Sequence, residues 1–165
     1  MVRFKNRYLL VELLPFKDEH PQKKIKLDDE RNGSELNSFS SSNVSTALRR
    51  SIEINFGSLG TALNTLALSV KYCNPNTRLL IIRCARDHEK MIRVALFFLG
   101  EWPSGEAKCI WVTRHVAGTM RSVSEAAIRV SRRRLMEIVE TDPQKKKQIE
   151  EIVAKVEQQI NKIEN

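Results

Sequence analysis

Along this chain apolar residues first alternate with polar ones, then recur every fourth position, then alternate again, and these switches mark its elements. From Arg3 to Leu14, Leu9, Val11 and Leu13 fill one face of an extended run and Tyr8, Leu10, Glu12 and Leu14 the other, until Pro15 ends it. Val44, Leu48, Ile52 and Phe56 then recur at helical spacing, with Asn43 or Ser45 able to cap the start and Gly57 placed to end it. Ser58 to Thr65 allows one more helical turn, which directs Leu59, Leu63 and Leu66 at the core. The stretch from Leu66 to Arg86 reads as a hairpin around Asn74-Pro75-Asn76-Thr77, because proline presets the second turn position and asparagine tolerates turn geometry. Asp87 caps a second helix with Met91, Ile92, Ala95, Leu96 and Leu99 as its stripe, stopped by Gly100 and Pro103. Ala107 to Val116 is a fourth strand, with Ile110, Val112 and Val116 on one face and Cys109, Trp111 and Thr113 on the other; Trp111 is assigned to the core. A third helix spans Arg121 to Val139 behind a capping box at Ser122-Val123-Ser124-Glu125. Asp142-Pro143 starts a last helical segment with a narrow stripe of Ile149, Ile152, Val153, Val156, Ile160 and Ile163.

Strand, helix, strand, strand, helix, strand is the ferredoxin-like split βαβ order, an α+β fold with an antiparallel sheet. The hairpin is expected in the middle of that sheet, because Leu79 and Ile81 point one way and Leu80, Ile82 and Cys84 the other. Apolar residues on both sides of every strand require an additional C-terminal helix, or a partner, to cover the second face. Residues 1–140 thus form one RRM-like domain. Residues 16–43, rich in serine and mixed charge, read as a mobile insertion, and 141–165 as a helical appendage that could fold back, bind a partner helix or stand apart. The same element order occurs in RNA recognition motifs. Their third strand stacks bases on aromatic residues, however, and Arg78 to Ala85 contains none, which argues for recognition of RNA backbone and shape.

Charge sharpens this reading. The net charge of +8 is concentrated: residues 114–134 carry six arginines against one acid, and residues 1–8 carry three cations and no acid. Positive charge gathered into ordered segments is the footprint of a polyanion binder, although solvated faces would look similar. No stretch approaches a membrane span, and the chain reads as a soluble intracellular protein with no membrane partner. Cys73, Cys84 and Cys109 lack metal-ligand spacing and read as buried reduced thiols. His20, His88 and His115 have no metal-ligand partners in sequence, and no phosphate loop or nucleophile motif is present, so neither a metal site nor a catalytic set is assigned.

The candidate phosphate-binding residues form three groups. Arg3, Lys5 and Arg7 alternate on one side of the first strand, where they could equally be a solvated strand end. Arg114-His115-Val116-Ala117-Gly118-Thr119-Met120-Arg121 is a small-residue turn leading into a helix start, which offers backbone N–H groups beside two arginines. A side chain at Gly118 is expected to obstruct a phosphate or to demand a backbone angle that only glycine adopts cheaply. Arg129, Arg132 and Arg133 add charge along one side of the following helix. His115 reads as structural or phosphate-facing.

MVRFKNRYLL, VKYCNPNTRLLIIRCAR and HVAGTMRS followed by the arginine-bearing helix resemble the "processing of precursors" subunit five family, small protein subunits shared by ribonuclease P and ribonuclease MRP. The resemblance covers residues 1–14 and 44–135; 15–43 and 136–165 depart from the pattern. It implies a protein that is no enzyme by itself but a component of a ribonucleoprotein endoribonuclease. It further implies contacts with the ribonuclease P and MRP RNA, a TIM-barrel protein subunit and other subunits, with Mg²⁺ held by the catalytic RNA and no cofactor in the protein. Precursor tRNA and precursor rRNA processing in the nucleus and nucleolus follow from it. A protein-interaction adaptor is the alternative, and a small ferredoxin-like enzyme the more distant one.

Overall fold

A computed structural model describes residues 5–15, 39–75, 77–101, 103, 108–141, 154–155 and 157–160. Strand β1 (Asn6–Pro15) runs through the centre of a four-stranded sheet, antiparallel to β3 (Leu79–Ala85) on one side and to β4 (Cys109–Ala117) on the other. Strand β2 (Ser69–Asn74) adds to the far side of β3, giving the order β2-β3-β1-β4. With helices α1 (Ser41–Asn64) and α2 (Glu89–Phe98) in the two crossovers, this is the ferredoxin-like fold, and α3 (Met120–Thr141) is the helix added to it. The hairpin forms, but only half of it is central. β3 is interior, as its two apolar faces require, whereas β2 is an edge strand with Lys71 exposed in a register shift. Between them the Asn74 side-chain oxygen accepts the Thr77 N–H at 3.2 Å, and Arg78 takes a positive φ of 54°.

One face of the sheet is covered by α1 and α2. Leu9, Val11, Leu13, Leu80 and Ile82 meet Val44, Leu48 and Ile52 of α1 and Ile92, Ala95 and Leu96 of α2. The Ser51 hydroxyl joins the helices by donating to the Ala95 carbonyl at 2.8 Å. Ser40, rather than Asn43 or Ser45, caps α1 by accepting the Asn43 N–H at 3.2 Å. Phe39 before the cap and Val44 in the first turn are both buried in this core, a hydrophobic staple that fixes where the helix begins. Asp87 does not cap α2: it lies in a 3-10 turn, Arg86–His88, and the helix starts after His88 without a side-chain cap.

Gly57 breaks α1 as expected, but the consequence differs from the expectation. At φ 63° and ψ −163° it occupies a region open essentially only to glycine, and the second helical segment leaves it rotated relative to the first. Gly60 and Asn64 therefore face inward, with no room at Gly60 for a side chain: a Cβ there would lie 2.4 Å from that of Phe56. Leu59, Leu63 and Leu66, expected in the core, are 69%, 43% and 98% exposed.

The other face is covered by α3, as the apolar pattern demanded. Leu10, Leu79, Ile81 and Tyr72 meet Val123, Ala126 and Ala127, and Ile160 is buried in the same cluster. The Asn74 amide donates to Gln159 Oε1 at 3.1 Å, so the helical residues around Ile160 lie back against the domain. Most of the insertion at 16–43, and the rest of the 149–163 stripe, fall outside the described residues. Thr119 caps α3 by accepting the Ser122 N–H at 3.3 Å; the expected capping box is not formed, and Glu125 instead accepts from Arg121 at 3.2 Å. Across β1 and β4, Leu10 faces His115 while Val11 faces Thr113, which leaves Arg114 as the extra residue of a bulge. The bulge reverses the alternation of β4. Cys109, Trp111 and Val116 consequently share the α1/α2 side, and Val116 does not lie with Ile110 as strict alternation would have it.

Candidate nucleic-acid interface

Helix α3 separates small residues from arginines. Val123, Ser124, Ala126, Ala127 and Ser131 are buried, and Arg121, Glu125, Arg129, Arg132 and Arg133 are exposed. The exposed set follows helical periodicity and so forms one outward stripe, about 18 Å long at the rise of a helix. Arg132 Nε donates to Glu157 at 2.6 Å, a pairing that raises the arginine's pKa and links α3 to the segment carrying Ile160. Arg121 meets Glu125 on its own helix. Arg129 has no partner among the described residues. Four guanidinium groups thus line one surface against the carboxylates of Glu125 and Glu157.

The turn at the start of α3 lies beside the start of β1, because Tyr8 pairs with Ala117 across the sheet. A Cβ built at Gly118 would meet a guanidinium nitrogen of Arg7 at 3.3 Å. That is the flexible end of a side chain, and Gly118 does not occupy the left-handed region, so the expected demand for a glycine backbone angle there is not met. Gly118 and Thr119 are exposed. With Thr119 spent on the Ser122 N–H, the first-turn N–H groups of Met120 and Arg121 have no intrahelical acceptor. Lys5 is exposed, and Arg3 lies outside the described residues. Arg7 shares the parity of Leu9, on the α1/α2 side, so it reaches the Gly118 turn from the opposite side of the sheet to the α3 stripe. His115 pairs with Leu10 and is half-buried on the α3 side.

Arg114 has a different setting from its neighbours in sequence. Its Nε donates to Glu12 Oε2 at 2.6 Å, and Arg134 from α3 donates to Glu12 Oε1. The Glu12 side chain is only 7% exposed, so a buried carboxylate is held between β4 and α3 by two arginines. Arg134 was not singled out from sequence. The available signal was Glu12, one acid inside an inward-facing apolar run, which requires cations because an unpaired buried charge is costly. Arg83 was missed as well: it pairs with Tyr8 across the ladder, and its Nε is buried without a partner among the described residues.

What this surface can do is neutralise and orient an extended anion, since guanidinium groups donate in forks that match phosphate. Burial pushes the thiols of Cys73, Cys84 and Cys109 up to about 12, which keeps them protonated and weakly nucleophilic at neutral pH. Among the described residues, no three His, Cys, Asp or Glu side chains gather as a metal site, and no helix is long and apolar enough to cross a membrane.

The chain is similar to known proteins in sequence and in fold. The model of the Rpp14/Pop5 family matches residues 7–128. Ribonuclease P/MRP protein subunit POP5 of Schizosaccharomyces pombe is 37% identical over 128 residues, covering 78% of this chain and 86% of that protein. The human subunit of the same name is 29% identical over 159 residues, covering 94% and 88%. A chain in the cryo-EM structure of yeast ribonuclease MRP shares the fold at a TM-score of 0.52 and 8% identity, covering 73% of this chain and 79% of that one.

Proposed function

This chain belongs to the Rpp14/Pop5 family, and on that premise we propose that it is a non-catalytic, RNA-binding subunit of ribonuclease P and ribonuclease MRP. In this reading the protein supports 5′-end processing of precursor tRNA and processing of precursor rRNA, in the nucleus and nucleolus. The carrying observation is the exposed stripe of Arg121, Arg129, Arg132 and Arg133 on α3. Its regular spacing on a helix anchored by buried small residues suits phosphates along a structured RNA, and the absence of aromatics from β3 removes the usual platform for reading single-stranded bases. The Gly118 turn, with Arg7 beside it, adds a second contact. Mg²⁺ belongs to the RNA in this reading, where phosphate oxygens would hold it and it would supply the hydrolytic chemistry. A TIM-barrel subunit of the same enzyme is proposed as a protein neighbour.

The test is binding of the full chain to ribonuclease P and MRP RNA across a salt series. Log affinity should fall against log salt with a slope of about −0.7 to −0.9 per phosphate contacted, and charge-removing changes at Arg129 and Arg133 should each shallow it by about one contact. A salt-independent affinity, or a slope indifferent to these changes, would remove α3 from the interface. The purified chain without RNA should leave precursor tRNA uncut in the presence of Mg²⁺; cleavage abolished by a point substitution would make it an enzyme. Loss of co-purifying subunits on ribonuclease treatment separates RNA binding from an adaptor role.

A further inference from the structure

Helix α2 is apolar on two sides. Ile92, Ala95 and Leu96 face the core, yet Val94, Phe97 and Phe98 are 43%, 79% and 59% exposed. The two rings stack edge to face, with centroids 5.7 Å apart. Opposite them β4 is the outermost strand of the sheet, with Trp111 and Thr113 on the α2 side, paired with Leu13 and Val11, and Ile110 on the other. Helix and strand edge thus enclose an open cleft of about 720 Å³, floored by Ile110 to Thr113 and walled by the outer side of α2. Lys90 and Arg93 stand on its rim. Arg93 reaches Glu89 at 3.4 Å, while Lys90 has no partner among the described residues.

A helix lying beside an open strand edge is the geometry that receives an extended peptide. An edge strand offers N–H and C=O groups in alternation, and a peptide that pairs with them sends every second side chain toward the helix. The bulge at Arg114 limits where this can happen. It breaks the ladder directly after Thr113, and at the other end Glu101 bridges Lys108 and the Cys109 N–H donates to the Gly100 carbonyl at 3.0 Å, so further pairing is confined to the four residues that floor the cleft. A cationic rim selects acidic over basic residues at one end of the occupant. We propose that the α2/β4 cleft binds a short extended segment of a partner protein, which adds to β4 as a fifth strand, places alternate apolar side chains against Val94, Phe97 and Trp111, and carries an acidic residue to Lys90. The cleft lies on the α1/α2 side of the sheet and the arginine stripe on the α3 side, so both can be occupied at once.

The experiment selects from a random twelve-residue peptide display library on the full chain, then measures the selected peptides as synthetic ligands. The expected binders alternate apolar and polar residues and contain an acid. They should lose about tenfold or more in affinity to Phe97→Asp, lose less to Lys90→Glu, and bind Arg129→Ala unchanged. Phe97 is largely exposed, so an unshifted melting curve of Phe97→Asp confirms that folding is intact; Val94→Asp, at a half-exposed position of the same wall, takes its place if it is not. Bound peptide should slow hydrogen exchange at alternate amides of 110–113. A library that yields no binder sensitive to either variant overturns the proposal. So do helical binders that leave those amides unprotected, which would make the cleft a helix groove, and peptide-free self-association abolished by Phe97→Asp, which would make it a contact between copies of this chain.

Discussion

On the α1/α2 side of the sheet, leucine, isoleucine and valine of β1 and β3 interlock with those of two helices. On the α3 side the helix brings alanine and serine to the sheet, and the contact includes a buried carboxylate clamped by Arg114 and Arg134. The first layer is held by volume, which is insensitive to salt and costly to disturb. The second is held by close approach and by charge. Its small inner residues set the helix near the strands while its outer arginines stay in water. A helix meant to present cations can be anchored in this way without spending its polar face on the core.

Removing volume from the first layer should produce the largest effect. Leu48→Ala or Ile82→Ala, each fully buried, should cost about 2–5 kcal/mol, seen as a lower denaturant midpoint with an unchanged slope. If the two sides depend on the same kind of packing, Ala127→Gly on α3 would cost as much, and the contrast between the layers would fail.

Breaking the clamp comes next. Glu12→Gln leaves two guanidinium groups without their carboxylate, one of them on the half-exposed Arg114, which can turn to water. We expect a loss of about 1–3 kcal/mol. A double-mutant cycle with Arg134→Met should show strong coupling; additive losses would mean that Glu12 and Arg134 are not partners.

The buried thiols give a pH signature. Each folded thiol keeps its proton up to about 12, while in the unfolded chain release occurs near the ordinary value of 9.0. Because the folded pKa is the higher, this contribution is whole below pH 9 and is lost as pH rises toward 12. Chemical denaturation at stepped alkaline pH should show the decline, and replacing the three cysteines by alanine should flatten it. A decline that survives the replacement would assign it to other groups.

The smallest structural effects belong to the exposed surface. Arg129→Ala should leave the melting temperature unchanged and appear only in RNA affinity and its salt slope. Gly118→Ala should be similarly mild for stability, since it meets a movable guanidinium rather than backbone. An obligatory glycine at this turn would make it severe. Thermal melts of Gly118→Ala and Gly57→Ala, side by side, decide between the two. The obligatory glycine by geometry is Gly57, where a side chain should cost about 1–3 kcal/mol.

Where the sequence was legible, a short-range rule governed. Alternation gave the strands, four-residue spacing gave α1 and α2, and two-sided apolarity correctly required a helix over the second face. The misreadings of which side chains face the core share a physical cause, which is a single residue that resets the periodicity beyond it. Gly57 rotates the helix after it and sends Leu59, Leu63 and Leu66 outward; Arg114 inserts one residue into β4 and brings Val116 to the other face. In the same way the arginine row on α3 was visible from its spacing, whereas the pairing of Arg114 with Glu12 was not. It depends on Glu12, which is distant in sequence and adjacent in space.

The sequence by itself determined the element order, the ferredoxin-like class, the concentration of cations and, through the match over residues 7–128, the family. These follow from local periodicity, composition and residue identity, all of which are read without knowing what touches what. Only the tertiary structure decided which arginines lie outward and which are bound within, that β2 is an edge, that Ser40 and Thr119 are the caps, and that α2 and the rim of β4 enclose a cleft. All but the caps depend on a pairing between distant positions, and the caps depend on where packing starts each helix. A guanidinium group carries the same charge wherever it stands, and whether it meets a phosphate or a buried carboxylate is set by the fold around it.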